Sequence, residues 1–195
     1  MSSETASAPR PRAGIWELEP AHTTVGFVGR HLGLSKVRGR FTDFKATIEV
    51  ADDLEDSSVE AWIDAASVES GVQMRDDHLR SPDFLDVEQF PQIHFVSTGV
   101  THLEGDMWQV AGDLTIRDVT RPVTLDVEFI GAIDDPNFQT QRAGLVATTE
   151  IDRTDFGMEW NMPLGLGGLV GKKGQIEIDA EVIRQPYVDP FAGGA

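Results

Sequence analysis

The sequence predicts an all-β protein that folds as an eight-stranded antiparallel barrel with one short helical segment near residues 72–86. Apolar residues recur at every second position over much of the chain, which is the period of a strand with one buried face. Short polar turn segments separate these runs. The chain also has too little helix to cover the edges of an open sheet, which favours closure into a barrel. A two-layer β-sandwich is the alternative.

The strands can be assigned from this alternation. The clearest is 44–50 (FKATIEV), in which every second residue is apolar and the intervening residues are polar. The same period recurs at 59–63, 108–116, 123–129 and 176–182, and less regularly at 15–19, 22–30, 92–101 and 142–152. Short turns such as 117–120 connect them. Strands of this number and length are sufficient to close a barrel.

One segment, residues 72–80, has helical character. Asp76 and Arg80 have the spacing of an i,i+4 ion pair, and Pro82 ends the helix. Residues 1–13 and 186–195 are small, polar and proline-bearing, so both tails are predicted to be poorly ordered. A single domain is therefore expected over residues 14–185.

The composition limits the partners and the compartment. The formal net charge of -17 should repel nucleic acid and anionic headgroups, so no nucleic-acid partner is expected. No apolar run reaches the ~20 residues of a membrane-spanning helix. The chain contains no cysteine and shows no secretory signal, and a cytoplasmic location is therefore expected.

The catalytic and metal-binding motifs that can be recognised from sequence are missing or incomplete. The five histidines show no H-x-x-x-H or H-x-H spacing, and no G-x-S-x-G turn is present. The tripeptide at 155–157 (DFG) lacks the other elements of a kinase, and the glycine-rich stretch 165–171 lacks a nucleotide-loop pattern. A binding protein without metal or catalytic residues is therefore expected rather than an enzyme.

The predicted interior is rich in aromatic residues mixed with small ones. The small residues, which should leave space inside the barrel, are Gly26, Ala46, Ala61, Gly112 and Ala147. An eight-stranded barrel has room for one slender ligand, and an apolar lining selects an apolar one. A core filled by its own side chains is the alternative.

Three polar residues are candidate contacts for the head of such a ligand. Arg75 and His78 lie in the densest cluster of chemically capable groups, on the predicted helix. Arg153 and Asp155, two apart on a predicted strand, would share one face and could form an ion pair at the barrel mouth. The structural alternative, salt bridges that close the barrel, is favoured for both groups.

Six segments occur in order between about residues 15 and 184: 16–27 (WELEPAHTTVGF), 30–41 (RHLGLSKVRGRF), 75–84 (RDDHLRSPDF), 90–95 (FPQIHF), 112–117 (GDLTIR) and 153–157 (RTDFG). Together they resemble the YceI-like, polyisoprenoid-binding family. The sequence departs from the family pattern at Leu85, where phenylalanine is usual, and at Asp118, where glycine is common.

The resemblance implies an extended lipocalin-like barrel, often a homodimer, that holds a polyprenyl lipid or an isoprenoid quinone. The strongly negative net charge of -17 favours a neutral head over a phosphate. Two alternatives are an enzyme acting on a lipid or quinone in the same barrel and a packed acidic interaction module. The residues expected to line the chain site are Phe27, Phe41, Phe95, Trp108, Leu114, Leu125, Phe129 and Trp160.

Overall fold

The computed structural model describes residues 9–164 and 168–188. This part of the chain contains eleven strands, one α-helix and four short 3-10 turns. Strand lengths range from the two residues of β6 to the seventeen of β9. The strands are β1 (Gly14–Leu18), β2 (Thr24–His31), β3 (Ser35–Phe41), β4 (Phe44–Val50), β5 (Ser58–Asp64), β6 (Val68–Glu69), β7 (Gln92–Glu104), β8 (Met107–Ile116), β9 (Val119–Asp135), β10 (Thr140–Asp152) and β11 (Lys173–Arg184), and the helix is α1 (Gln73–Arg80).

Eight of these strands close an antiparallel barrel. Their order is β1-β4-β5-β7-β8-β9-β10-β11, and pairing between β1 and β11 completes the circle. The predicted fold class is confirmed, and closure removes the exposed edges that an open sheet of this size would leave. The predicted turn at 117–120 is a two-residue connection between β8 and β9, with Arg117 at a φ of 58°.

Strands β2, β3 and β6 extend the sheet beyond the closed barrel. β11 pairs with β1 near its end, at Val182 to Arg184, and with β2 nearer its start, at Gln175 to Asp179. A short 3-10 turn, Pro20–His22, separates β1 from β2, because proline cannot donate a ladder hydrogen bond. β1 and β2 are therefore hydrogen-bonded one after the other along the same edge of β11.

The sequence pattern missed β3 and β6. Lys36, Arg38 and Arg40 occupy one face of β3, and glycine interrupts its other face, so few apolar residues mark the strand. Gly39 is required there because the ring of its cross-strand partner Phe27 occupies the space of a side chain at residue 39. β6 is only two residues long, too short for any period to be recognised.

The helix α1 packs beside one end of the barrel with its ion pairs arranged differently from the prediction. Asp76 is buried and accepts hydrogen bonds from the backbone N–H of Ser70, at 2.8 Å, and from the Ser70 hydroxyl. Arg80 donates to the carbonyls of Ala66 and Val68 and lies 3.5 Å from Asp77. The predicted pair between residues 76 and 80 is therefore wrong, because the loop before the helix takes up both side chains.

The termini of the described chain lie against the barrel. Of the predicted N-terminal tail, residues 1–8 lie outside the described residues, as do residues 189–195 at the other end. Residues 9–13 pass across the barrel end, where the backbone N–H of Arg12 donates to Gln141 and the Arg12 carbonyl accepts from the Trp16 indole at 3.0 Å. Trp16 itself is only 1% exposed and anchors a small core at this end.

Candidate functional site

Two apolar lobes occupy the barrel interior. The first, which we call the helix lobe, has a volume of about 250 Å³ and is bounded by Leu79 of α1 and by Phe84 and Leu85 just after it. The second, the tail lobe, has a volume of about 320 Å³ and is bounded by Arg10 and Pro11 of the N-terminal tail. Each is larger than an engineered cavity of ~150 Å³ that stays dry and binds benzene.

The lobes meet inside the barrel. Four residues, from four different strands, line both lobes: Val25, Ile63, Leu125 and Ile178. All four side chains are apolar, so the boundary that the two lobes share is apolar. Taken together, the two lobes have a volume within the range of ligand pockets, roughly 300–1,000 Å³, although the helix lobe alone is slightly smaller.

Most of the predicted chain-binding residues face this space. The period-two alternation places them there, since residues two apart on a strand share a face. Phe27, Phe41, Phe95 and Leu114 line the helix lobe, Trp108 and Phe129 line the tail lobe, and Leu125 lies at the junction. Among the small residues, Ala46 and Ala147 line the tail lobe, whereas the space beside Gly112 is filled by the ring of Phe95.

Three predicted site residues are not among those lining the two lobes: Trp160, Arg75 and His78. The ring of His78 packs edge-on against Trp160 and Phe84, with centroids 4.4 and 4.9 Å apart, and its Nε2 lies 2.9 Å from Asp83. Arg75 donates from Nε to the Ser70 hydroxyl at 2.6 Å and from Nη2 to the Ser70 carbonyl at 2.9 Å. These contacts hold the helix against the barrel end, and a direct role in ligand binding stays a prediction.

Arg153 lies in the wall of the helix lobe, in an arrangement that differs from the predicted one. Its segment is a 3-10 turn, Arg153–Phe156, rather than a strand, so the predicted face shared with Asp155 is wrong. The guanidinium instead donates to the carbonyls of Gly171 at 3.0 Å, Met158 and Val170. Burial lowers the pKa of Arg153 from its ordinary value, an effect that nearby Asp152 partly offsets.

The other cations beside the helix lobe are engaged by carboxylates. Lys173 donates to Glu150 at 2.5 Å, and this hydrogen bond raises the lysine pKa. Asp152 accepts from the Thr154 hydroxyl at 2.6 Å and from its N–H at 2.9 Å, which lowers the pKa of Asp152, and the charge of Lys172 adds to this effect. Lys173 is therefore not a free cation beside the lobe.

The tail lobe opens near a histidine that the sequence argument did not select. The ring of His102 lies 4.5 Å from that of Trp108, and its Nε2 lies 2.9 Å from the Gly105 carbonyl oxygen. Both His102 and Asp106 are exposed and line the lobe. The sequence-based choice of candidate residues favoured aromatic ones. It therefore also missed Ile178 at the junction, although the alternation of apolar residues along β11 predicts that Ile178 faces the interior.

One group of side chains has the composition of a metal site. Ligand atoms of Glu19, His22 and Glu181 all lie within 4.8 Å of one another on the barrel exterior. His22 Nδ1 lies 2.6 Å from Glu19, and Glu181 accepts from Arg142, so each group already has a protein partner. Local spacing cannot reveal such a group, because residues 22 and 181 are distant in sequence.

The family assignment follows from the match over the whole barrel. The family model described as a YceI-like domain matches residues 16–182. The chain belongs to the YceI-like family. Relatives within it include a UPF0312 protein of Shewanella denitrificans, 41% identical over 150 residues (76% of this chain, 78% of the relative). A UPF0312 protein of Staphylococcus aureus is 36% identical over 165 residues (83% of this chain, 92% of the relative).

Several solved structures have the same fold. A Campylobacter jejuni YceI protein superposes with a TM-score of 0.70 at 25% identity, covering 80% of this chain and 90% of that one. Burkholderia cenocepacia BcnA gives 0.70 at 23% identity, with coverages of 84% and 98%. A polyisoprenoid binding domain from Saccharophagus degradans gives 0.65 at 13% identity, with coverages of 89% and 99%. The last two establish similarity of fold alone.

Proposed function

We propose that this protein binds an isoprenoid lipid, a polyprenyl chain or an isoprenoid quinone, inside the barrel and carries or stores it. The observation that carries the proposal is the pair of adjoining lobes inside the barrel, whose accessible lining is predominantly apolar. Membership of the YceI-like family and the likeness to a polyisoprenoid binding domain support this class of ligand.

The dimensions suit a slender chain. A strand of about ten residues at ~3.4 Å per residue, tilted by ~40°, gives a barrel roughly 26 Å high. A long prenyl chain would therefore bend within the lobes or protrude. Each buried CH₂ contributes up to ~0.8 kcal/mol, so a few isoprene units are enough for tight binding.

We propose a neutral head group, as in an isoprenoid quinone. A phosphate needs several charge-assisted donors that are free to turn toward it. Three N–H groups of Arg153 already donate to backbone carbonyls, and Lys173 is paired with Glu150. A quinone carbonyl needs only one or two neutral donors.

Binding without turnover is the simplest account of the lining. Within the two described lobes, His102 is the one histidine, and its hydrogen bond goes to a backbone carbonyl rather than to a serine or a carboxylate. No helix among residues 9–164 and 168–188 has the length and hydropathy needed to cross a bilayer. We further propose a cytoplasmic homodimer without a nucleic-acid partner, which sedimentation and cell fractionation can test.

The deciding experiment is organic extraction of the purified protein followed by mass spectrometry. A carrier should release a prenyl lipid in near-stoichiometric amount, and a packed interaction module should release none. Competition between an isoprenoid quinone and a polyprenyl phosphate of equal chain length then tests the head group. Preferential retention of the phosphate would contradict the neutral head, and conversion of added quinone to a new product would identify an enzyme.

A further inference from the structure

The β2–β3 hairpin extends past the barrel strand beside it. Pairing of β2 with β11 ends at Val28, whereas pairing of β2 with β3 continues to His31 and Ser35. The hairpin turns through Leu32 and Gly33, at φ values of 54° and 71°, and the His31 carbonyl accepts from the N–H of Leu34 at 2.9 Å. This is the geometry of a type I′ turn, in which asparagine or glycine is usual and leucine is rare.

The outer face of this hairpin is basic. Arg30 lies directly opposite Lys36, and Arg38 is two residues further along the same face. All three are exposed, and among the described residues none has a carboxylate within ion-pair distance. Arg30 and Lys36 place like charges opposite each other, which destabilises a hairpin. Stability therefore does not account for these residues.

The acidic residues of the protein are absent from this part of the chain. Residues 20–42 contain no aspartate or glutamate, although the whole chain has 33. At the base of the hairpin, Arg40 binds Glu69, and Glu69, Glu177 and Asp179 line the same surface groove as Arg38. The hairpin's own charged residues are therefore all basic, and the carboxylates near it lie toward its base.

Exposed apolar side chains lie at the same place. Leu34 at the turn is 73% exposed, and Met162 and Leu164 are 48% and 45% exposed. Backbone hydrogen bonds connect the hairpin turn to the segment that carries Met162 and Leu164. The N–H of Leu32 donates to the Leu169 carbonyl, and the N–H of Leu169 donates to the Met162 carbonyl. We call this set the tip surface; it comprises Arg30, Leu34, Lys36, Arg38, Met162 and Leu164.

The tip surface adjoins the helix lobe. The N–H of Gly171 donates to the Arg30 carbonyl at 2.8 Å, and Val170 forms a bridge with His31. Val170, Gly171 and Gly29 all line the helix lobe. The same short segment thus forms part of the cavity wall and holds the basic, apolar tip in place.

We propose that the tip surface docks the protein on an anionic lipid bilayer, so that the ligand enters or leaves the helix lobe from the membrane. This inference rests on the proposed lipid-binding function. Cations that meet phosphate groups, together with leucine and methionine side chains that reach the acyl boundary, are the two contributions used by peripheral membrane proteins. Salt screens the repulsion between the bilayer and acidic residues that lie more than roughly 8–10 Å from it. The acidic residues that are not screened favour an orientation in which the opposite end of the barrel faces away from the bilayer.

The test is flotation with phosphatidylcholine vesicles containing about 30 mol% phosphatidylglycerol. The double variant Leu34→Ser with Lys36→Gln should weaken binding at least about 10-fold, since one cation alone accounts for about 5-fold. The matched control, Ile133→Ser with Arg12→Gln, removes one exposed aliphatic side chain and one exposed cation at the other end of the barrel. Its binding should change by less than about twofold, because those residues lie beyond the screening distance.

The outcomes separate docking from lipid binding. Equal losses in the two double variants, or none in either, would overturn the docking surface. If the wild-type protein yields extracted lipid but does not bind anionic vesicles, docking is refuted and the proposed lipid-binding function stands. If it binds vesicles but yields no extracted lipid, the proposed lipid-binding function is refuted and membrane binding by the tip surface stands. Binding of a labelled DNA duplex in place of vesicles would assign the tip to nucleic acid. If the tip variant melts early, Arg38→Gln alone should still weaken binding about 5-fold.

Discussion

The junction of the two lobes offers a direct test of the proposed site. Leu125 lines both lobes and lies on β9 between Thr124 and Asp126, which face solvent. Leu125→Phe adds an aromatic ring where the apolar space is shared. We expect the ring to separate the lobes, so that a chain occupying both must withdraw from one.

The size of the effect follows from the carbon atoms that lose their contacts. Withdrawal of one isoprene unit exposes five carbons, which at ~0.8 kcal/mol each is at most about 4 kcal/mol, or about 1,000-fold in affinity. Partial repacking around the ring reduces this, so a loss of about 10- to 1,000-fold is expected for a long chain. A chain short enough for one lobe should lose little.

The assay is titration with isoprenoid quinones that carry about two and about eight isoprene units. Thr124→Phe is the matched control, because it adds the same ring on the exposed face of the same strand. An unchanged ratio of long-chain to short-chain affinity in Leu125→Phe would show that the lobes do not hold one continuous chain. An equal loss in Thr124→Phe would show that the effect acts through the fold.

Three further predictions concern stability and the faces of the strands. Leu114→Arg should place an unpaired charge in the helix lobe and expel lipid. It should reduce the free energy of unfolding by roughly 3–5 kcal/mol and the melting temperature by roughly 6–20 °C. Thr115→Arg should change neither the stability nor the lipid content. Equal lipid content in these two variants would show that the strand faces are reversed. Gly39→Ala should cost ~1–3 kcal/mol by collision with Phe27, and Phe27→Leu should restore part of this loss in a double-mutant cycle of unfolding free energies; additive effects would refute the contact. The lowered pKa of Asp152 means that its contribution to stability is present above the ordinary value of 3.8 and is lost as the pH falls through the lowered pKa. Wild type should therefore melt higher than Asp152→Ala at neutral pH, and the two melting curves should converge in acid; a gap independent of pH would contradict this.

The fold was predictable because one signal recurs in almost every strand. Alternation in segments such as 44–50 and 123–129 requires only that one face is buried, and a closed barrel buries one face of each strand. The pattern failed at β3, because three cations occupy one of its faces and Gly39, on the other face, makes room for the ring of Phe27.

The apolar residues of the cavity wall were easier to predict than the contacts of the polar residues. A residue such as Leu114 has its face fixed by its own strand, so its place in the cavity wall follows from period alone. Asp76 and Arg153 lie outside the regular strands, and their partners, Ser70 for one and the carbonyls of Met158 and Gly171 for the other, are chosen by loop conformation. No local spacing in the sequence encodes these contacts.

Arg153 links the cavity to the proposed membrane contact. Its guanidinium binds the carbonyls of Val170 and Gly171, and the same two residues pair with His31 and Arg30 of the hairpin. The carbonyl dipoles stabilise the buried charge, and nearby Asp152 adds to this effect. A displacement of the segment 168–171 would alter the lobe wall and the tip surface together. If the proposed docking and lipid exchange occur, both would depend on this one short stretch of backbone, which a side chain in the wall of the helix lobe holds in place.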